Sequence, residues 1–425
     1  MAAREKIAAS ILDINLRTRA VAFAVLAVFV TVLTISTALA QTLTVLHTFT
    51  GGLSGANPYA GVTMDAAGNL YGTTYYGGAN GAGLVYKLTH KGSGWVFSPL
   101  YSFQRGNDAQ SPIAGVTIGR DGNLYGTTFG GGQRGAGAVY KLSPPATFCR
   151  SVLCPWTETL LYQFTGGADG GEPEAAVIFD SAGNLYGTTG GGGTENNGVV
   201  FKLTPSGSGW TESVLYRFAG PPDGYDPNSA MTFDHNGNLD GTTGLGGGAD
   251  CECGTVYQLT PSGSGWSEQV IYRFQGSNDG GAPSSGIVLD PEGNLYGAAL
   301  VDGAENGGTI FELTPSNGSW TFSVLYSPTD SSGFQPRGLA RSSSGTLYGT
   351  FFYGGIFQSC GGEGCGNVFQ LSPSAGGWVY TPLYEFTGGD DGGNPIGGLI
   401  LDSAGNLYGT TSAEVTYGTA FELAP

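Results

Sequence analysis

One heptapeptide, Gly-Asn-Leu-Tyr-Gly-Thr-Thr, recurs with small variations seven times along the 425-residue chain, and it constrains the fold more than any other sequence feature. Successive copies begin 52 to 61 residues apart, and the repeat pattern covers the whole chain after residue 40. The first glycines of the seven copies are Gly68, Gly122, Gly183, Gly237, Gly293, Gly345 and Gly405. A regular period of this length is typical of propellers and solenoids.

Each unit contains four short runs rich in β-branched and aromatic residues, separated by clusters of Gly, Asn, Asp and Pro. In the third unit these runs are 175–180, 184–189, 198–203 and 210–218, which we term strands A, B, C and D. This pattern predicts four antiparallel strands joined by tight turns. Seven such units favour an all-β, seven-bladed β-propeller of four-stranded antiparallel blades over an open solenoid.

Two features favour a closed ring. The residue four positions before the A-to-B turn is always small, as expected where seven strands converge on one axis. These small residues are Gly61, Gly115, Ala176, Ala230, Gly286, Gly338 and Gly398. The repeats also begin with an unpaired run at 45–49 that resembles strand D, and they end with a strand C at 419–423. We therefore expect the N-terminal strand to complete the last blade, which removes the exposed sheet edges.

The first forty residues predict an export signal. Four basic residues precede an apolar run at 20–35, and the small-x-small sequence Ala38-Leu39-Ala40 follows. Cleavage there would leave 41–425 as a secreted or periplasmic propeller with no membrane span. An uncleaved membrane anchor is the less favoured alternative, because an apolar run of about 16 residues is short against the ~20 that cross a bilayer.

The charge of the chain argues against nucleic-acid partners. The sequence holds 16 Lys plus Arg and 33 Asp plus Glu, of which four basic and two acidic residues lie in the first forty positions. Residues 41–425 therefore carry 12 basic against 31 acidic side chains, a net charge of −19. Binding to a phosphate backbone needs a basic face, and none is visible.

All six cysteines lie in insertions relative to the other repeats, as three local pairs. The pairs are Cys149 with Cys154, Cys251 with Cys253, and Cys360 with Cys365. In an exported protein such pairs predict disulfides that staple loops. The two-residue spacing of Cys251 and Cys253 would close a strained ring. A zinc site is the alternative, but the pairs lie in different blades, so we expect no metal centre.

An acidic motif with a following proline recurs in the D-to-A connections. Its aspartates are Asp169, Asp223, Asp279 and Asp391. In a four-stranded blade these loops share a rim with the Gly- and Asn-rich B-to-C loops, and this rim is the predicted binding face. Calcium or a polyhydroxyl ligand would suit its oxygen atoms, although turn chemistry alone also explains the motif. Apart from calcium, no cofactor is expected.

Tryptophan opens six of the D strands, and one anchor carries a carboxylate. We interpret the tryptophans as packing between blades, with a sugar-stacking platform as the alternative. They are Trp95, Trp156, Trp210, Trp266, Trp320 and Trp378. Asp240 replaces the anchor tyrosine, which indicates either drift at a partly exposed position or a functional carboxylate. The three histidines lie in different units and form no catalytic or metal-ligand spacing.

The segment 183–189, followed by Val-Phe-Lys-Leu-Thr-Pro at 200–205, resembles the GloVer (Gloeobacter/Verrucomicrobia) tandem repeat of exported bacterial β-propeller proteins. The resemblance covers 41–425. The Asp-x-x-Gly-Asn-Leu-Tyr part is more loosely similar to NHL and SMP-30-like propellers. The GloVer resemblance implies export and a propeller, and it implies no assigned activity. Its better-known members carry a C-terminal anchor; we expect none here, since the sequence ends at Pro425.

The repeated polar loops favour an exported, non-catalytic protein that binds an extracytoplasmic glycan or protein through the Asp- and Gly-rich rim. Enzymes break symmetry to place unique residues, whereas this sequence repeats the same loops. The alternative is a hydrolase or lyase that acts on a carbohydrate or lactone through acidic residues near the central channel. The two hypotheses differ in whether carboxylates from different blades converge on the axis.

Overall fold

The computed structural model describes residues 41–146, 156–248, 251–329, 332–355, 360–412 and 417–424. The predicted export signal and the pair Cys149 and Cys154 lie outside these residues. The described chain forms seven four-stranded antiparallel sheets, each with the strand order D-C-B-A, and therefore a seven-bladed β-propeller. Within it, no helix is long and apolar enough to cross a membrane. The helices found are three single turns of 3₁₀ type, at Gly52–Ser54, Ser277–Asp279 and Cys360–Gly362.

The blades are numbered by their anchors, and their strands run in the order A, B, C, D. Blade 1 is Thr63–Met64, Leu70–Thr74, Leu84–Lys91 and Gly94–Ser102; blade 2 is Thr117–Ile118, Leu124–Thr128, Ala138–Ser143 and Thr157–Gln163. Blade 3 is Ile178–Phe179, Leu185–Thr189, Val199–Ser206 and Gly209–Arg217; blade 4 is Thr232–Phe233, Leu239–Thr243, Thr255–Ser262 and Gly265–Arg273. Blade 5 is Val288–Leu289, Leu295–Ala299, Thr309–Ser316 and Ser319–Tyr326; blade 6 is Phe334–Arg341, Leu347–Tyr353, Asn367–Ser374 and Gly377–Glu385. Blade 7 is Ile400–Leu401, Leu407–Thr411, Thr419–Ala424 and, as its strand D, Thr42–Thr48.

The predicted strands of the third unit are confirmed, with different lengths. Strand A pairs with strand B over two residues only, Ile178–Phe179, because the residues before it line the channel instead of continuing the ladder. Strands C and D are longer at their shared hairpin, where the ladder continues to the pair Ser206 and Gly209. The predicted six-residue turn is therefore a two-residue turn.

Each residue type of the anchor has a structural task. The leucine is buried, and the second glycine lies against the aromatic ring of strand C; a Cβ on Gly187 would lie 2.5 Å from Phe201. The tyrosine hydroxyl donates a hydrogen bond to the turn aspartate, as from Tyr186 to Asp180 at 3.0 Å. The first threonine of some anchors donates to the channel-lining segment just before strand A of the next blade, as from Thr73 to the carbonyl oxygen of Ala114 at 2.9 Å. The string thus specifies contacts within a blade and between blades.

The ring closes as predicted. The N-terminal strand Thr42–Thr48 pairs with Thr419–Ala424 as the outer strand of blade 7. Thr410 of that blade donates a hydrogen bond of 2.8 Å to the carbonyl oxygen of Ala60, the same contact that joins blade 1 to blade 2, blade 2 to blade 3 and blade 3 to blade 4. The hydrophobic core lies between blades, and one of its clusters combines Leu46 and Tyr408 of blade 7 with Leu70 of blade 1.

The D-to-A and B-to-C loops share one rim, as the sequence predicted. Short backbone bridges join these two loops within blades 1 to 5. The bridged pairs are Ala56 with Tyr76, Ala109–Gln110 with Gly130–Gly131, Gly171 with Gly191, Gly224–Tyr225 with Leu245–Gly246, and Gly281 with Val301. This upper rim is therefore built of interlocked loops and surrounds one end of the central channel. The A-to-B and C-to-D turns lie at the opposite, lower rim.

Candidate functional site

A cavity of about 570 Å³ lies on the propeller axis, and strand-A segments of all seven blades line it. The predicted ring of small residues forms its wall, and two members show how crowded it is. A Cβ on Gly61 would collide with the carbonyl group of Gly398, and a Cβ on Gly338 would lie 2.7 Å from the Cα of Gly398. Larger side chains could not be tolerated at this level of the channel.

The mouth of the channel is formed by the residues that directly follow a buried proline in each D-to-A loop. The residue before this proline has the same conformation in every blade, with φ between +52° and +59°. Its backbone N–H donates a hydrogen bond of 2.7 to 3.1 Å to the B-to-C loop of the preceding blade. The backbone at the mouth is therefore fixed by a repeated hydrogen bond and does not depend on which side chain it carries.

The side chains on this repeated backbone differ from blade to blade. In chain order the residues of the mouth are Tyr59, Ile113, Glu174, Asn228, Ser284, Arg337 and Ile396. They include an acid, a base, an amide, a hydroxyl, a phenol and two aliphatic groups. The mouth therefore breaks the sevenfold symmetry of the repeated loops, as the cysteine insertions and Asp240 do. A fixed scaffold with variable side chains is the usual construction of a binding site.

One side of the mouth is acidic. Burial, together with the nearby charges of Asp226 and Glu172, raises the pKa of Glu174 to about 7. Burial also raises the pKa of Asp226, although its carboxylate accepts a hydrogen bond of 3.3 Å from the amide of Asn228. Gly190 lies between the two acids, since a Cβ there would be 3.0 Å from Asp226 and 3.8 Å from Glu174. Carboxylates from blades 3 and 4 thus converge at the channel.

The other side of the mouth carries the guanidinium of Arg337, in blade 6. It lies three blades from Glu174, the greatest separation that a ring of seven allows. Arg337 donates a hydrogen bond of 3.2 Å to the amide oxygen of Gln335 and lies 5.2 Å above the ring of Phe352. Its Nε is buried and has no hydrogen-bond partner, and no described carboxylate forms an ion pair with it. Burial lowers its pKa to about 10.

An aromatic group completes the mouth in blade 1. The ring centroids of Tyr59 and Tyr75 lie 5.4 Å apart, and those of Tyr75 and Tyr76 lie 4.4 Å apart in an edge-to-face arrangement. Tyr76 is exposed. A ligand at the mouth would therefore meet carboxylates, an unpaired guanidinium and aromatic rings, which are the groups that proteins use to hold hydroxyl-rich and anionic molecules.

The predicted rim aspartates lie in the D-to-A loops, but not among the residues that line the channel. Each accepts a hydrogen bond from a strand-D tyrosine and another from a backbone N–H four residues earlier. The tyrosine hydroxyls lie 2.8 to 3.0 Å from the carboxylates in the pairs Tyr162 with Asp169, Tyr216 with Asp223, Tyr272 with Asp279 and Tyr384 with Asp391. These carboxylates order their own loops, and their role in ligand binding stays a prediction.

A family model for the Gloeobacter/Verrucomicrobia repeat matches the chain in three overlapping segments, 30–251, 152–361 and 253–425. Together these segments cover nearly the whole sequence. The chain belongs to this repeat family. No curated protein matches the sequence.

Solved structures show the same fold for this repeat protein at low sequence identity. The extracellular domain of a candidate hybrid two-component system from B. thetaiotaomicron is 14% identical, with a TM-score of 0.52 over 91% of this chain and 41% of that one. A candidate 6-phosphogluconolactonase from Bacteroides uniformis is 14% identical, with a TM-score of 0.50 over 80% of this chain and 87% of that one. The chain therefore spans less than half of the first of these structures.

Two of the predicted disulfides are present in this repeat protein. Cys251 bonds to Cys253, and Cys360 bonds to Cys365. Among the described residues no cysteine is free, and no cluster of three or more His, Cys, Asp or Glu could hold a metal ion. Disulfides are typical of proteins outside the reducing cytosol, and these two indicate an extracellular or periplasmic protein.

The tryptophans pack between blades, as predicted. Five of them meet the anchor tyrosine of the preceding blade, with ring centroids 6.1 to 6.5 Å apart. Trp320 is the exception, because the preceding anchor carries Asp240 in place of tyrosine. Asp240 is not partly exposed, as we had expected, but completely buried. This anchor position is interior because strand D of the next blade, which begins near Trp320, packs over it.

The residues of the mouth were not among the predicted site residues. Their signal is the proline that recurs in the D-to-A loops, since the residue after it faces the channel in every blade. Aligning the repeats on Pro58, Pro112, Pro173, Pro227, Pro283, Pro336 and Pro395 would have isolated the variable position.

Proposed function

We propose that this repeat protein is an exported, non-catalytic binding protein that holds a carboxylate-bearing glycan at the mouth of its central channel. The main support is Arg337, which lies across the channel from Glu174 and Asp226: its Nε is buried without a hydrogen-bond partner, and no described carboxylate neutralises its charge. An unpaired buried cation is costly, and a ligand carboxylate would relieve that cost through a bidentate, charge-assisted hydrogen bond.

The remaining groups of the mouth suit the rest of such a ligand. Sugar hydroxyls can donate to the carboxylates of Glu174 and Asp226, and they can exchange hydrogen bonds with Asn228 and Ser284. The rings of Tyr59 and Tyr75 offer a surface against which a pyranose face can pack. Export is supported by the apolar N-terminal segment and by the two disulfides.

The test is titration calorimetry of the purified protein with oligosaccharides of hexuronic acid and with neutral oligosaccharides of the same linkage. We expect the acidic series to bind, and Arg337→Met to weaken that binding by at least about tenfold. Arg120→Met is the matched control, because Arg120 is an exposed arginine of an A-to-B turn, where it contacts the carbonyl oxygen of Ser181. It should bind as the wild type does. Unchanged affinity in Arg337→Met would contradict the proposal.

The second candidate function is hydrolysis of a sugar lactone. It is favoured by the convergence of Glu174 and Asp226 from different blades and by the pKa of Glu174, which at about 7 suits a general base. Hydrolysis of lactones, followed by acid release at constant pH, distinguishes the two functions. Turnover that is lost in Glu174→Gln would favour the enzyme, whereas saturable uronate binding without turnover would favour the binding protein.

A further inference from the structure

The interface between blades 4 and 5 lacks a tyrosine ring that the corresponding interfaces contain. Where blade 3 meets blade 4, for example, the ring of Tyr186 lies 6.1 Å from Trp266. Where blade 4 meets blade 5, Asp240 takes the place of that tyrosine. A cavity of about 230 Å³ lies beside Trp320 at this point. It lies at the lower rim, at the opposite end of the blades from the channel mouth.

Asp240 lines this cavity with one carboxylate oxygen unpaired. Its side chain has 0% exposure. Its Oδ1 accepts a hydrogen bond of 2.8 Å from the amide of Gln258, whereas its Oδ2 is buried without a partner. A buried oxygen without a donor is costly unless something else supplies one. Burial accordingly raises the pKa of Asp240 to about 7.

The same substitution leaves a second carboxylate with fewer donors. In blade 3, Asp180 accepts hydrogen bonds from both Asn184 and the hydroxyl of Tyr186. Its counterpart in blade 4, Asp234, accepts a hydrogen bond of 2.7 Å from the amide of Asn238, but the second donor, the tyrosine hydroxyl, is missing. Both acids line the cavity together with Glu292, and its lining includes no lysine or arginine.

Blade 4 also lacks the lysine that blades 1 to 3 carry at this place, a position where blades 5 to 7 carry Glu or Gln. In blades 1 and 3 a strand-C lysine lies over the anchor tyrosine, with Nζ 5.2 Å from the ring centroid of Tyr71 and 5.4 Å from that of Tyr186. The residue paired with Asp240 across the strands is Gln258. Relative to these blades the cavity therefore lacks a flat ring and an ammonium group, and it has gained a carboxylate.

We propose that this cavity is a second binding site, which takes a small organic ammonium ion that carries an aromatic ring. The ring would lie against Trp320 where the other interfaces have tyrosine. The ammonium group would donate to the free oxygen of Asp240 and be attracted by Asp234 and Glu292. Such a ligand supplies the two groups that blade 4 lacks, and a tryptophan wall with carboxylates is well suited to organic cations.

The test uses three probes, tyramine, p-cresol and ethylammonium, in titration calorimetry at pH 8 with the full mature chain. We expect one saturable tyramine site in the wild type and at least about tenfold weaker binding of both partial probes. Asp240→Tyr, which restores the residue of the other six anchors, should abolish binding. Asp240→Asn should weaken tyramine binding by at least about tenfold. Thermal melting verifies that both variants are folded.

The tryptophans provide a matched pair of controls. Trp320→Ala should weaken tyramine binding by about tenfold or more, whereas Trp266→Ala, in an interface that has its tyrosine, should leave the affinity unchanged. The proposal is overturned if the wild type does not bind tyramine or if Asp240→Tyr binds it equally well. Equal affinity for p-cresol and tyramine would overturn the assignment of a cationic ligand.

Discussion

Two kinds of contact join the D strands of neighbouring blades. From blade 1 to blade 4, a tyrosine of one blade meets a glutamate of the next; the hydroxyl of Tyr101, for example, lies 3.2 Å from the carboxyl group of Glu158 and 3.1 Å from that of Asp108. At three other interfaces the same place holds a stack of two rings. The stacked pairs are Tyr272 with Phe322 at 3.9 Å, Tyr326 with Tyr380 at 4.8 Å and His47 with Phe97 at 4.0 Å between centroids.

The comparison shows that one position in a repeat can hold a titratable contact or an apolar one without changing the fold. Burial and the charge of Asp108 raise the pKa of Glu158 to about 9. Burial and a neighbouring aspartate likewise raise the pKa values of Glu212 and Glu268 to about 7. Protons therefore stabilise the acidic interfaces, whereas the stacks Tyr272 with Phe322 and Tyr326 with Tyr380 contain no acid or base that titrates near neutral pH. The third stack responds to protons in the opposite sense, because burial lowers the pKa of His47 to about 4.

The largest effect is expected from removing a ring of the aromatic half. Phe322→Ala loses the stack on Tyr272 and the contacts with Phe274 and Phe311. We expect the free energy of unfolding to fall by about 3 kcal/mol, equally at pH 5 and pH 8. Chemical denaturation measures it, with the exposed neighbour Ser323→Ala as the control. A loss that depended on pH would contradict an apolar role for this interface.

The next largest effect is a gain in stability, expected from replacing Asp240, the acid at the anchor tyrosine position of blade 4. Asp240→Tyr removes a buried carboxylate oxygen without a partner and places a ring beside Trp320, as at the corresponding interfaces. The pKa of Asp240 is higher in the folded state than in the unfolded state. The contribution of Asp240 to stability is therefore present below pH 4 and is lost as the pH rises through about 7. We expect stabilisation by about 2 kcal/mol at pH 8 and less at pH 4, by denaturation at both pH values. Equal gains at both would contradict the assignment.

In the acidic half, Glu158→Gln should remove part of the pH dependence. The stability that wild-type Glu158 contributes is present below its unfolded pKa, near 4.5, and is lost as the pH rises through about 9. We expect the variant to match the wild type at pH 4 and to exceed it by about 1 kcal/mol at pH 9, a value reduced by partial exposure. The slope of stability against pH decides, and an unchanged slope would argue against a buried acid.

The smallest effect is expected from converting one kind of interface into the other. Glu212→Phe would place a ring opposite Tyr162, as Phe322 lies opposite Tyr272. Pairing of the rings should add about 0.5 to 1 kcal/mol at pH 8, and the variant should lose its share of the pH dependence. Glu212→Gln separates the two effects, because it removes the charge without adding a ring. A destabilised Glu212→Phe would show that the two interfaces differ in shape as well as in chemistry.

The fold could be predicted from the sequence because the anchor specifies two kinds of contact, one within a blade and one between blades. Gly187 and Leu185 specify the interior of a blade, and Thr188 specifies the contact with the next, so seven copies define both the blade and the ring. The unpaired run before the first repeat then required closure. The packing of the tryptophans followed from their position at a hairpin that every blade shares.

The contacts between D strands could not be read from the sequence, since the alternation of inward and outward residues is interrupted. In blade 3 the pairing of strands C and D shifts between Val200 and Phe201, so that Leu215 has no partner opposite it. Such a bulge reverses which face the following residues occupy. Counting alternate residues along strand D therefore does not reveal that Glu212 and Tyr216 face the neighbouring blades. The residues of the channel mouth could not be predicted for another reason. Their variation between repeats resembles random drift.

The strand that closes blade 7 also determines when the protein can finish folding. The hydrogen bond from Thr410 to Ala60 spans 350 residues, and the first strand of the propeller, Thr42–Thr48, pairs with the most distant one, Thr419–Ala424. Contacts between distant residues form slowly, because a long loop must close first. Until then, six complete blades would carry an unsatisfied sheet edge at each end. Pairing of these two strands is thus the step that converts an open array with exposed sheet edges into a ring without edges.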